Sequence, residues 1–132
     1  MPVNAHWLDN DENTEIVHIE FIGAWTWDEF WDCINNVLDP MLLSTTEKPC
    51  TICDIRQSTK LPPDAINQST RMVRGGTKWD LTVIVGNNQF AKMLVGIVTR
   101  LLPNLGKAFT MTGSMEDAKK AIADHRAKAA KH

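Results

Sequence analysis

Between Glu15 and Met41 the hydrophobic period of the chain changes from two residues to 3.6. That change restricts what the chain can fold into more than any other feature. Glu15 to Ile22 alternates, with Val17, Ile19 and Phe21 on one face and His18 and Glu20 on the other, which is the pattern of a half-buried strand. Gly23 ends it. Thr26-Trp27-Asp28-Glu29 then matches a capping box, in which a Thr hydroxyl satisfies an orphan N–H and a Glu three residues on reaches back. From there the apolar residues fall at Trp27, Phe30, Trp31, Ile34, Val37, Leu38 and Met41. This is helical spacing, and the helix is expected to end near Pro40 to Leu43. A one-sided strand leading directly into a one-sided helix is the first half of a β–α–β unit.

The rest of the chain continues the alternation. His6-Trp7-Leu8 reads as a short strand before the polar turn Asp9 to Asn13, so the N-terminus is expected to form a hairpin with Glu15 to Ile22. Cys50 to Ile55 is a short apolar strand, followed by an irregular stretch from Arg56 to Pro63. Pro63 suits the first turn of a helix, where its missing N–H would be unpaired anyway. That helix carries Ile66, Met72 and Val73 and stops at Gly75-Gly76. Leu81 to Val85 is a strand, Gly86-Asn87-Asn88 a turn, and Gln89 to Leu102 a helix ended by Pro103. Ala108 to Thr112 is a last strand, and Ser114 caps a final helix reaching about Lys128. The order β-β-α-β-α-β-α-β-α predicts a single α/β domain over 1–132. Its core spans about 5–126, and a mixed, mostly parallel sheet is joined by right-handed crossovers.

Composition narrows the function classes. The chain has 132 residues, 43% of them hydrophobic, and a formal net charge of -2. That charge argues against a nucleic-acid partner, and no apolar run approaches the roughly 20 residues of a membrane span. The first fifteen residues lack the basic and apolar regions of a signal peptide, so a cytoplasmic location is expected. The cysteines are Cys33, Cys50 and Cys53, an odd number that argues against a disulfide framework. C-T-I-C at 50–53 lies on the strand, where residues three apart face opposite sides. A redox pair needs a helix N-terminus, and zinc needs a second ligand pair. All three cysteines are expected to be buried, small apolar residues.

Four features together resemble the STAS fold of anti-sigma-factor antagonists, in its stand-alone form. They are G-x-W-T-W-D-E-F at Gly23 to Phe30, a buried strand ending in Asp54-Ile55, V-I-V-G with a polar turn at Val83 to Asn88, and S-x-E-D-A-x-x-A-I at Ser114 to Ile122. The resemblance implies a STAS-like sandwich and a regulatory role exercised through protein contacts. It covers roughly residues 5–126. The antagonists carry a D-S-S-G-type element at the start of the second helix, whose Ser is phosphorylated to switch binding off by added charge. Here that stretch reads Leu61-Pro62-Pro63-Asp64-Ala65-Ile66-Asn67. Asp64 matches the motif's Asp, Ala65 stands at the Ser position, and the Gly is absent. The phosphoswitch therefore does not carry over, although Ser58 and Thr59 lie nearby.

Candidate chemistry falls into four groups. Asp9, Asp11, Asn13, Glu15 and Glu20 follow EF-hand-like spacing, but Thr14 replaces the required Gly and a strand follows, so a solvated turn is expected. His6 and His18 would lie opposite each other in a symmetric hairpin, as a pair able to bind metal or sense pH, with no third ligand evident. His125 and His132 sit on a polar tail. Asp54 and Arg56, at the end of a strand, would converge with Ser58, Asp64, Asn87 and Asn88 where α/β proteins bind ligands. No hydrolase, phosphate-loop or zinc-protease motif accompanies them. Finally, Phe90, Met93, Leu94, Ile97, Val98 and Leu101 form a broad apolar stripe. With Trp27 and Trp31 it marks a homodimer interface or an apolar pocket bounded by Trp31, Ile34, Met93, Ile97 and Leu101.

The reading that follows is a non-enzymatic interaction module without a cofactor or metal, homodimeric, with an unidentified protein partner. It would recognise that partner through Lys60 to Asn67 and the Asn87 to Gln89 turn. A carrier of a small apolar ligand or lipid, of CRAL-TRIO-like character, is the competing class. An enzyme acting through Asp54, Arg56 and Asn88 is the third.

Overall fold

The computed structural model describes residues 2–43, 48–59, 62–64, 67–68, 71, 80–86, 92, 96, 100 and 109–130. Five strands form a single sheet in the order β1-β2-β3-β4-β5. They are β1 (Val3–Trp7), β2 (Ile16–Gly23), β3 (Cys50–Ser58), β4 (Thr82–Val85) and β5 (Phe109–Thr112). β1 runs antiparallel to β2, and every other pairing is parallel. The expected mixed sheet with an N-terminal hairpin is what forms.

Two layers of core lie on the two faces of this sheet. On one face Val17, Ile19 and Phe21 of β2 pack with Trp25, Phe30, Ile34 and Leu38. These last three belong to α1 (Trp27–Cys33) and the π-helical turn Ile34–Leu38 that continues it. On the other face Ile16, Cys50, Ile52, Val83 and Val85 pack with Ala118 and Ile122 of α3 (Met115–Ala130). Strand alternation divides Ile16 from Val17 and Cys50 from Cys53, whose side chains fall on opposite layers. The C-T-I-C pair is thus split by the sheet, and its cysteines are free thiols. Burial raises the pKa of Cys33 and Cys50. With the Asp54 charge beside it, burial pushes Cys53 up to about 12. Thiols so disfavoured as thiolates are packing groups.

Helix α1 starts where the capping box places it. The Glu29 N–H donates to Thr26 Oγ1 at 3.2 Å, and the Thr26 N–H donates to Glu29 Oε1 at 3.1 Å. Thr26→Ala is expected to cost about 1 kcal/mol, the usual worth of such a cap, measured by urea denaturation; a cost near zero would show that neighbouring contacts hold this end without it. The helical path continues through α2 (Asp39–Leu42), which contains Pro40. A proline there has no N–H for the preceding turn and crowds its carbonyl. The wider π turn immediately before Pro40 absorbs that mismatch.

Two strands differ from their expected limits by more than one residue. β1 begins at Val3 rather than His6, because Val3, Ala5 and Trp7 all turn to the α1 layer and Val3 pairs with Phe21. β3 runs on to Ser58 where an irregular stretch was expected. After an irregularity between Glu20 and Ile22, Gln57 and Ser58 pair with Ile22 and Gly23. Gly23 ends β2 at a φ of +65°, a conformation that favours glycine. In the spans expected to hold the second and third helices, the described residues Asn67, Gln68, Arg71, Lys92, Gly96 and Arg100 are helical.

The acidic turn is a structural connection. The Asp11 carboxylate accepts from the Asn13 N–H at 3.0 Å, and Asp9 faces Lys119 of α3 at 3.3 Å. Arg126 of α3 donates to the carbonyls of Thr14 and Glu15, each at 2.8 Å. The Asp9, Asp11 and Glu20 carboxylates of the EF-hand-like spacing meet separate partners: Lys119, the Asn13 N–H and His6.

Candidate functional site

Two features stand out. The first is a cleft of about 390 Å³ lined by Ala24, Trp25, Thr26, Trp27, Pro62 and Pro63. Its floor is aromatic because the link from β2 into α1 carries Trp25 and Trp27 in sequence. Trp25 is buried and packs edge-on against Trp27, with ring centroids 4.9 Å apart. Its indole N–H donates to the buried Ser58 hydroxyl at 2.9 Å. The opposite wall is tied on through indole N–H groups: Trp27 donates to the Pro63 carbonyl at 2.7 Å and Trp31 to Gln68 Oε1 at 2.7 Å. The Arg71 guanidinium lies 4.3 Å from the Trp31 ring centre, a cation–π arrangement.

The expected site residues find places around this wall. Asp64 sits at its end with a φ of +73°, a left-handed conformation that Asp tolerates better than most side chains. Its carboxylate accepts from Asn67 Nδ2 at 2.6 Å and Gln68 Nε2 at 3.2 Å, stabilising the first turn that follows. Ser58, considered above beside the missing phosphoserine, is only 9% exposed and holds Trp25. Trp27 and Trp31 spend part of their apolar surface on this internal packing. Asn87, Asn88, Met93, Ile97 and Leu101 lie outside the described residues.

The second feature is a polar cluster on the layer of the sheet that carries Ile16 and Ile52. Asp54 was expected at the end of a strand; with β3 extended to Ser58 it lies in the middle. The parallel register sets Glu20 beside Asp54, and the hairpin register sets His6 opposite His18. Both Asp54 oxygens are taken. Arg56 Nε and Nη2 donate to Oδ1 and Oδ2 at 2.9 and 2.7 Å, and His18 Nε2 lies 3.0 Å from Oδ2. Burial alone would raise the pKa of Asp54, but the hydrogen bonds from Arg56 and His18 outweigh it and hold the carboxyl at about 2. An ionised carboxylate only accepts, so the proton in the His18 bond belongs to Nε2.

His6 is held in the same way by a different acceptor. Its Nδ1 is 3.0 Å from the Trp7 carbonyl and its Nε2 is 2.8 Å from Glu20 Oε1. Burial disfavours charge on this ring. The Glu20 hydrogen bond, the Trp7 carbonyl and the Glu20 charge together prevail, and its pKa lies above 6.5. The rings of His6 and His18 meet edge-on with centroids 4.9 Å apart. Among the described residues, His6, His18 and Glu20 are the group whose donor atoms gather closely enough for one metal ion. The sequence reading paired the histidines and missed their carboxylate. The signal was present, since Glu20 stands two residues after His18 on the same strand face.

No family model and no curated protein matches the sequence. The fold does have a counterpart among solved structures. The crystal structure of an uncharacterised DUF3478-family protein with a SpoIIAA-like fold, from Shewanella loihica PV-4, superposes with a TM-score of 0.60. The match covers 88% of each chain at 15% identity. This chain therefore has a SpoIIAA-like, STAS-like fold. Among its described residues no helix is long and apolar enough to cross a membrane.

Proposed function

We propose that this SpoIIAA-like chain is a non-enzymatic regulatory module that binds a partner protein through the cleft between the start of α1 and Pro62-Pro63-Asp64. The observation that carries the reading is the position of that cleft. It lies against the stretch that the resemblance sets at the switch element of STAS antagonists, and it offers an aromatic floor with an acidic residue at its edge. Buried aromatic and polar-rimmed pockets of this kind anchor protein contacts. The locked state of Asp54, and thiols disfavoured as thiolates, support a binding role over acid–base or nucleophilic chemistry. A cytoplasmic homodimer, formed through Met93, Ile97 and Leu101, completes the proposal.

The test is capture of partners by chemical crosslinking in cells that naturally express the protein, repeated with Trp27→Ala and Asp64→Lys. A partner held by the wild type should be lost by both variants, with Trp27→Ala weakening the purified complex by about 2 kcal/mol or more. A partner that binds both variants normally removes this surface from consideration. A native mass spectrum checks the assembly: a doubled mass without an adduct is expected. A monomer carrying a lipid-sized adduct would replace the module with an apolar-ligand carrier.

A further inference from the structure

We propose that His6, His18 and Glu20 form a binding site for one divalent first-row transition metal ion of the zinc type. The three donor atoms lie within 4.8 Å of one another, and they come from the hairpin strands β1 and β2, whose pairing fixes them. A hairpin held in a five-stranded sheet is a rigid support, which is what a precise ligand set requires.

The surroundings of the histidines argue for metal more strongly than their proximity. Metal-ligating histidines nearly always donate their second ring N–H to a backbone carbonyl or a carboxylate, which fixes the tautomer and strengthens the ligating nitrogen. Both forms of that support are present. The Trp7 carbonyl holds Nδ1 of His6 at 3.0 Å, which leaves Nε2 as the ligand. Asp54 holds Nε2 of His18 at 3.0 Å, which leaves Nδ1 as the ligand. Asp54 is itself fixed by two bonds from the Arg56 side chain. His6 Nε2 faces the Glu20 carboxylate at 2.8 Å. A proton bridges that pair in the metal-free protein, and a bound ion would take its place between the same two ligands.

Ligand type selects the ion. Two imidazoles and one carboxylate suit zinc, cobalt, nickel or iron(II), whereas calcium and magnesium require oxygen shells and copper(I) prefers sulfur. The thiol nearest in sequence, Cys53, packs into the opposite layer. Charge agrees: with both imidazoles neutral as ligands, the Glu20 and Asp54 carboxylates outnumber the Arg56 guanidinium among the described residues of the cluster, and a divalent ion would offset that negative charge. His6 and Glu20 keep 35% and 29% of their side-chain surface, which gives the ion a way in and leaves coordination positions for water or an exchangeable anion.

Tag-free, chelator-treated protein titrated with cobalt(II) chloride provides the test, because cobalt reports its coordination in the visible spectrum and zinc displaces it. The expected result is one ion per chain, with a visible band that zinc abolishes. His6→Ala and Glu20→Gln, both at half-exposed positions, should each remove the band. Asp54→Asn should weaken binding about 10–100-fold while leaving one ion per chain, as loss of a supporting partner does. His125→Ala serves as a control for the exposed His125–Asp80 pair, 3.0 Å apart on another part of the surface, and should bind like the wild type. Absence of a one-to-one complex at millimolar cobalt would overturn the proposal. So would a band that survives both His6→Ala and Glu20→Gln, or one that disappears only in His125→Ala.

Discussion

Trp25→Ala is expected to lower the unfolding free energy by about 4 kcal/mol, in the range for truncating a buried large aromatic. Trp25 is only 5% exposed. Its ring packs against Phe21 and Trp27 with centroids 4.8 and 4.9 Å away, and Phe30 lies at 6.2 Å. Truncation would leave a void between β2 and α1 that these rigid rings cannot close, and it would leave the Ser58 hydroxyl without its donor. Ser58→Ala separates the two effects. It keeps the packing but strands the indole N–H in the interior, which should cost about 1–3 kcal/mol. Guanidinium denaturation with the loss of the aromatic circular dichroism signal measures both. A Trp25→Ala cost below that of Ser58→Ala would mean that the aromatic group contributes little beyond its hydrogen bond.

Asp54→Ala should cost about 3 kcal/mol, at the lower end for breaking a buried ion pair by removing one partner. His18 would be left buried without its acceptor, whereas Arg56, at 46% exposure, can turn to water. The same carboxyl sets an acid sensitivity. Its folded pKa of about 2 lies below its ordinary 3.8, so the unfolded chain takes up the proton more readily. The contribution is complete above 3.8, declines as pH falls, and is gone below about 2. It amounts to about 2 kcal/mol. Urea denaturation of chelator-treated protein between pH 5 and pH 2 should therefore show a steeper loss of stability for the wild type than for Asp54→Asn. Parallel curves would show that other carboxyls govern acid unfolding.

The sequence carried its local instructions plainly. The alternation of Glu15 to Ile22 assigned His18 and Glu20 to one face, the T-W-D-E box placed the start of α1, and the strand position of Cys50 and Cys53 predicted their separation. Where extra backbone pairing was available, local pattern was insufficient. Arg56 to Ser58 carry no strand signature, yet β3 includes them because β2 continues alongside. Val3 to Ala5 join β1 because Val3 meets Phe21. Asp64 illustrates the same limit for a side chain: the resemblance marked it as a motif position, and only its left-handed backbone and bonds to Asn67 and Gln68 reveal a turn-stabilising acceptor.

What the sequence determined by itself is the periodicity: which stretches are strands or helices, which side chains share a face, and hence the alternating α/β order. Those properties depend on neighbours within a few residues, whose geometry is fixed by the backbone repeat. Tertiary structure alone decided which faces meet. The sequence separations of 36 from His18 to Asp54, 33 from Trp25 to Ser58 and 36 from Trp27 to Pro63 are bridged by strand pairing and loop closure. These depend on the packing of the whole chain, which no short window of sequence contains.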